Sequence, residues 1–293
     1  MHVDALIERT IERAVAESEA KDGPARLAGA IRHALFPGGA RVRPQLCLAV
    51  AYACSGGRAP ERAAGAGAAI ELLHCASLVH DDLPCFDAAD IRRGKPSVHV
   101  AYGEPLAVLA GDALIVMAFE TLARESDERT LARLVGIVGR AVGARDGIVA
   151  GQAWESEDEI NLSAYHRSKT GALFVAAATA GAAAVGGDEE AWRSLGDRLG
   201  EAYQIADDIR DAVMDAEAMG KPAGQDAANA RPNAVSTLGL PGALEQLADL
   251  VEDAAQSVPD CAGGEELRAL VYAQARRLTP KHLHAHLQKH LAI

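Results

Sequence analysis

The stretch AIELLHCASLVHDDLPCFD, residues 69–87, runs from an apolar segment straight into three carboxylates. Apolar residues recur at helical spacing as far as Val79, so the segment reads as a buried helix, with Asp81 and Asp82 at its end and Asp87 just beyond. Like charges so placed repel, and nothing adjacent in sequence neutralises the first two. A second stretch, AYQIADDIRD, residues 202–211, repeats the arrangement with Asp207, Asp208 and Asp211. Asp207 and Asp211 are four residues apart and therefore share a helix face, with roughly 5–6 Å between their Cβ atoms. A lone acidic run is as readily a solvated helix end. Two of them, each preceded by an apolar helix and followed by basic residues, predict a hard divalent cation. Mg²⁺ takes oxygen ligands and is commonly held by carboxylates together with substrate phosphates.

Working outward, the 293 residues carry a formal net charge of -12, and 49% are hydrophobic. That balance supports one sizeable core and argues against a nucleic-acid footprint or attraction to anionic membranes. An anionic substrate must then be met by local cations: Arg41 and Arg43 in GGARVRP, Arg92, Arg93 and Lys95 in IRRGKP, Lys169 in HRSKTGALF, and Lys221 in GKPAGQD. Arginine forks match phosphate oxygens bidentately. With no glycine-rich P-loop, the set points to diphosphate chemistry other than nucleotide hydrolysis.

Ala, Leu, Glu and Arg dominate at three- and four-residue spacing, and β-branched alternation is scarce, so the fold class is all-α. Gly and Pro clusters mark helix ends, and Thr279-Pro280 reads as an N-cap followed by proline at the first helical position. No linker, repeat or shift in composition divides residues 1–293, which are read as a single domain. The five cysteines, an odd number without a CxxC pair, read as reduced thiols of a cytoplasmic protein, with Cys85 taken as a packing residue. The first twenty residues lack a signal-peptide pattern, and no uninterrupted run approaches the roughly 18 apolar residues of a membrane span. His282, His286 and His290 share a helical spacing but are read as a partly solvated terminal helix. His80 is read as a hydrogen-bonding neighbour of the metal motif.

In order along the chain, GGARVRP, ELLHCASLVHDDLPCFDAADIRRGKPSVH, LAGDALI, KTGALF, YQIADDIRD and GKPAGQDAANARPNAV resemble the trans-isoprenyl diphosphate synthases of the polyprenyl synthetase family. The likeness is greatest to geranylgeranyl diphosphate synthases feeding carotenoid and bacteriochlorophyll synthesis. It implies a helical bundle around a deep central cavity, a homodimer, and three Mg²⁺ ions bridging an allylic diphosphate to Asp81, Asp82 and Asp87 and to Asp207, Asp208 and Asp211. By the same resemblance Arg92, Lys169 and Lys221 hold the allylic diphosphate (dimethylallyl, geranyl or farnesyl). Arg41, His74 and Arg93 hold isopentenyl diphosphate, with Arg43 in the same motif, and Thr170 and Gln204 line the developing cation. Four departures stand out: Ala40 where lysine is common, Ala88 and Ala89 for acidic residues, Glu155 for aspartate, and Arg231 for lysine.

Product length is read from the helix below Asp81, where Leu73, Ala76 and Ser77 lie one to two turns down. Ala76 and Ser77 are small, whereas farnesyl-forming relatives commonly carry a bulky aromatic there, so geranylgeranyl diphosphate is the expected product. Farnesyl diphosphate synthase, a terpene cyclase and a non-catalytic partner subunit are the alternatives. The cationic isopentenyl set argues against the cyclase, and two intact Asp motifs argue against the partner subunit.

Overall fold

The structure, a computed structural model, describes residues 3–36, 38–58, 60–213, 233–280, 283 and 284. The chain runs through α1 (Val3–Ser18), α2 (Ala25–Leu35), α3 (Val42–Cys54) and α4 (Ala64–Asp81) to a two-residue hairpin, β1 (Ile91–Arg92) with β2 (Lys95–Pro96). It continues through α5 (Val98–Tyr102), α6 (Glu104–Glu125), α7 (Glu128–Val142), α8 (Ile148–Ala153), α9 (Leu162–His166) and a π-helical turn, Arg167–Gly171. The last helices are α10 (Ala172–Ala184), α11 (Arg193–Val213), α12 (Ala234–Gln256) and α13 (Gly264–Leu278). The all-α expectation holds, the hairpin being the one strand pair among the described residues.

The alanine-rich helix α10 is apolar on every side and nearly every residue is buried, as a helix without a polar face must be. It packs against α3, α4, α7 and α11. Glycine permits that approach: a Cβ on Gly181 would lie 2.3 Å from the carbonyl oxygen of Cys47 on α3. Helix α4 is buried through Val79 and turns its acidic C-terminus toward α11, which carries the second acidic stretch. Asn233 caps α12 reciprocally with Ser236, and that helix kinks at Gly239, two residues before Pro241.

By length and hydropathy alone, Glu61–Asp81 and α6 could each cross a membrane, with mean hydropathies of 1.2 and 1.9. The most apolar window of the first is 78% buried inside the bundle, so its apolarity is accounted for by core packing. That of α6 is only 44% buried, leaving Val108, Leu109 and Val116 outward. At the other end of the chain, Thr279 is the residue at which α13 ends, and the helix expected to start at Pro280 falls mostly outside the described residues. The Thr279 hydroxyl donates back to the carbonyl of Ala275, so the residue closes the preceding turn.

Candidate active site

Asp81 ends α4, and the loop after it folds back so that the Asp87 N–H donates to the Asp81 carbonyl at 3.0 Å. One oxygen from each of Asp81, Asp87 and Glu155 then falls within 4.8 Å of the others, an all-oxygen set suited to a hard cation. Glu155 also accepts from Tyr165 Oη at 2.6 Å, Lys169 Nζ at 2.5 Å and Gln152 at 3.0 Å. Lys169 lies 3.4 Å from Asp81 as well, so one ammonium bridges the cluster. Asp82 is turned inward, 2% exposed, and accepts from Nε of Arg92 at 2.9 Å. Burial raises its pKa above the usual carboxylate value although Arg92 opposes the rise.

The second motif divides in the same way. Asp207 and Asp211 line the cavity that Asp81 and Asp87 line, with Asp207 accepting from Arg210 at 2.6 Å. Asp208 is 3% exposed and ties elements together: it accepts from Gln204 at 2.9 Å and from the N–H of Ala234, at the start of α12, at 2.8 Å. Gln204 in turn accepts from the Thr170 hydroxyl at 2.8 Å. Thr170 and Lys169 sit on the π turn, a feature frequent at functional sites. Two glycines let its neighbours close on it: a Cβ on Gly151 of α8 would lie 2.5 Å from the Lys169 nitrogen, and one on Gly200 of α11 would lie 2.7 Å from Gly171 Cα.

The basic side is built by α3, α4 and the hairpin. Arg43 stacks over Phe174 at 4.6 Å and Tyr203 at 5.4 Å, and its buried Nε has no hydrogen-bond partner. A buried donor of this kind can bond an anion. Arg93 occupies the hairpin turn at φ 54°, followed by Gly94 at φ 74°, the mirror-image turn that two-residue hairpins favour. Its guanidinium lies against Gly39, where a Cβ would approach Nη2 to 2.9 Å. Burial, then Arg43 and Arg93, hold the His74 pKa well below its ordinary value, so the ring is neutral at pH 7.

These groups share one cavity of about 330 Å³, whose apolar wall includes Leu78, Ile148 and Leu173. Of the residues singled out from the sequence, Asp81, Asp87, Asp207, Asp211, Arg43, His74, Arg92, Arg93, Lys169, Thr170, Gln204 and Ser77 line it. Arg41 does not. It is 6% exposed and bonds Glu8 at 2.8 Å, Glu71 at 2.7 Å and the Leu35 carbonyl at 2.9 Å, so the geometry gives it a supporting place behind the site. Leu73 and Ala76, each 2% exposed, also face the core. Cys85 is exposed, not a packing residue, while all five cysteines are free thiols. His80 bonds the Val108 carbonyl at 3.3 Å, as a neighbour of the motif and not a member of it. Lys221, Arg231, His282, His286 and His290 lie outside the described residues. The contributions of Tyr165, Phe174 and Tyr203 were not read from the sequence; Tyr165 four residues before Lys169 and Tyr203 four before Asp207 are spacings that signal a shared face.

Arg41→Ala is expected to cost about 3–5 kcal/mol of stability, because it strands the buried Glu71 carboxylate; urea unfolding measures it. A binding role alone would leave stability unchanged.

Two carboxylate motifs facing each other across a cation-lined cavity, in a bundle built of helices, define the isoprenoid synthase class. The chain belongs to the polyprenyl synthetase family, whose model matches residues 24–268. It is 52% identical over 282 residues to the geranylgeranyl diphosphate synthase of Cereibacter sphaeroides, covering 96% of this chain and 98% of the relative. Identity to the geranylgeranyl diphosphate synthase of Rhodobacter capsulatus is also 52%, over 281 residues, covering 95% and 96%. Among solved structures, a geranyltransferase from Helicobacter pylori complexed with magnesium and isoprenyl diphosphate superposes with TM-score 0.76 at 27% identity, covering 94% of this chain and 98% of that one.

Proposed function

We propose that the protein joins isopentenyl diphosphate head-to-tail to an allylic diphosphate, with geranylgeranyl diphosphate as the principal product. The observation that carries this reading is the single cavity on which Asp81, Asp87, Asp207 and Asp211 face Arg43, Arg92, Arg93 and Lys169. The names of the close relatives support the product.

The oxygen-only donors fit Mg²⁺, in our reading three ions with diphosphate bound, held chiefly by Asp81, Asp87, Asp207 and Asp211. Asp82 and Asp208 hold Arg92, Gln204 and α12 in place. When bound, Mg²⁺ neutralises charge that develops on the departing diphosphate. Arg92 and Lys169 grip that same group, where preorganised cations lower the barrier to ionisation. Arg43, Arg93 and neutral His74 hold the diphosphate of the second substrate, whose double bond attacks the allylic cation. Thr170 and Gln204 present oxygens near that cation, and Leu78, Ile148 and Leu173 keep water from trapping it as an alcohol. The proton released on forming the new double bond leaves with the diphosphate, no side-chain base being placed for it among the described residues.

Ala40 is exposed beside Gly39, where Arg93 rests. Ala40→Lys adds a cation there and is expected to lower KM for isopentenyl diphosphate about three- to tenfold, leaving kcat little changed in steady-state assays.

The protein works as a homodimer in the cytoplasm. The support is the outward apolar row of α6, Val108, Leu109 and Val116, between 41% and 57% exposed, which fits a second copy of the same chain. Leu109→Glu is expected to halve the mass measured by light scattering.

The test of the activity is product analysis: purified protein, Mg²⁺, isopentenyl diphosphate and each of dimethylallyl, geranyl and farnesyl diphosphate, with the alcohols separated by length after phosphatase treatment. Geranylgeraniol as main product is expected. A stop at farnesol keeps the chemistry and refutes the product length; no product favours a partner subunit.

A further inference from the structure

A second cavity, of about 660 Å³, lies between α7, the π turn and the first turn of α11. Its inner wall is apolar, with Ile137, Ala141, Ala172 and Val175, whereas five arginines line it. Two are committed: Arg133 pairs with Glu189, and Arg193 with Glu190 at 2.7 Å. The other three, Arg140 at the end of α7, Arg145 in the following loop and Arg167 on the π turn, have no carboxylate within 4.0 Å among the described residues. Asp146 and Asp197 also line the cavity, so the local balance is three unpaired cations against two carboxylates, in a chain of net charge -12. Burial raises the pKa of Asp197, and Arg193 and Arg167 oppose the rise. At the floor Ser168, 5% exposed, makes no hydrogen bond among the described residues.

Three arginine forks from three separate elements, the Ser168 hydroxyl and an apolar wall share one concavity. Arginine forks select planar or tetrahedral oxyanions, phosphoryl groups above all. We propose that this cavity is a second binding site for a diphosphate group, free or carrying a short prenyl chain laid along the apolar wall. The π turn separates it from the catalytic cavity: Arg167 and Ser168 face the second cavity, Lys169 and Thr170 the first. Occupancy of one side therefore bears on a turn whose backbone is already wedged between Gly151 and Gly200.

The test is calorimetric titration of the intact protein with inorganic diphosphate, and separately with geranyl diphosphate, in EDTA at low salt. The comparison is Arg140→Gln/Arg145→Gln. Both side chains are exposed and neither lines the catalytic cavity, so condensation activity in the double variant reports an intact fold and site. Wild type is expected to bind one more equivalent than the double variant, or to bind it at least about tenfold tighter. Ser168→Ala should weaken the same equivalent. Tighter binding of geranyl diphosphate than of inorganic diphosphate identifies the prenylated form as the ligand, and equal binding identifies the free one. Identical isotherms for wild type and double variant, with activity retained, overturn the proposal and leave the catalytic reading untouched.

Discussion

Asp81→Asn lowers kcat/KM for condensation by roughly 10³-fold or more, about 4 kcal/mol of transition-state stabilisation, while the melting temperature holds or rises. Asp81 lies in a group of carboxylates whose oxygens approach within 4.8 Å, with the Lys169 ammonium between it and Glu155. Removing one negative charge relieves repulsion in the folded protein and at the same time takes away a hard oxygen donor. Stability and activity should therefore move in opposite directions, which a merely structural aspartate does not do. Asp82→Asn is the informative contrast. Its carboxylate is buried on Arg92, so its loss should appear both as destabilisation and as a raised KM for the allylic substrate. Steady-state kinetics against Mg²⁺ concentration, paired with thermal melts, separates the two. Near-normal turnover in Asp81→Asn would remove the metal assignment altogether.

That contrast marks what the sequence can and cannot convey. The helical class, the two acidic stretches and their convergence on one space all follow from periodicity and from charge at the ends of apolar helices. The division of labour within each acidic pair does not, because adjacent residues on a helix point about 100° apart and only the packing decides which faces the cavity. Asp82 and Asp208 turn inward to Arg92 and to Gln204 with the start of α12, contacts made across 10 and 26 residues in the longer-range cases. Arg41 and Arg43 pose the same difficulty two residues apart. Arg41 stands at φ 49° just before α3, and its fork is taken by Glu8 and Glu71 on two other helices, which no local pattern announces. Glu155 enters the Asp81 cluster through the short turn after α8, a tertiary approach with no signature in spacing.

The reading of chain length is sharper with the structure than without it, and it yields the second large effect. Ser77→Phe shifts the main product from geranylgeranyl to farnesyl diphosphate, whereas Ala76→Phe leaves product length unchanged and costs about 1–3 kcal/mol through overpacking. From Asp81 the cavity face of α4 descends through Leu78, Ser77 and His74, at three, four and seven residues, the stripe that one side of an α-helix presents. Ser77 lies about 6 Å below Asp81 along the axis, and its hydroxyl is turned back to the His74 carbonyl at 2.8 Å, so position 77 itself projects nothing large into the cavity. Ala76 and Leu73, five and eight residues back, sit off this stripe and are 2% exposed in the core. A phenyl ring at position 77 projects into the space a growing chain must enter, while one at position 76 must be accommodated among close-packed neighbours. Product chromatography on both variants decides the point. If Ala76→Phe shortens the product and Ser77→Phe does not, the stripe is misassigned; if neither does, the floor belongs to another helix.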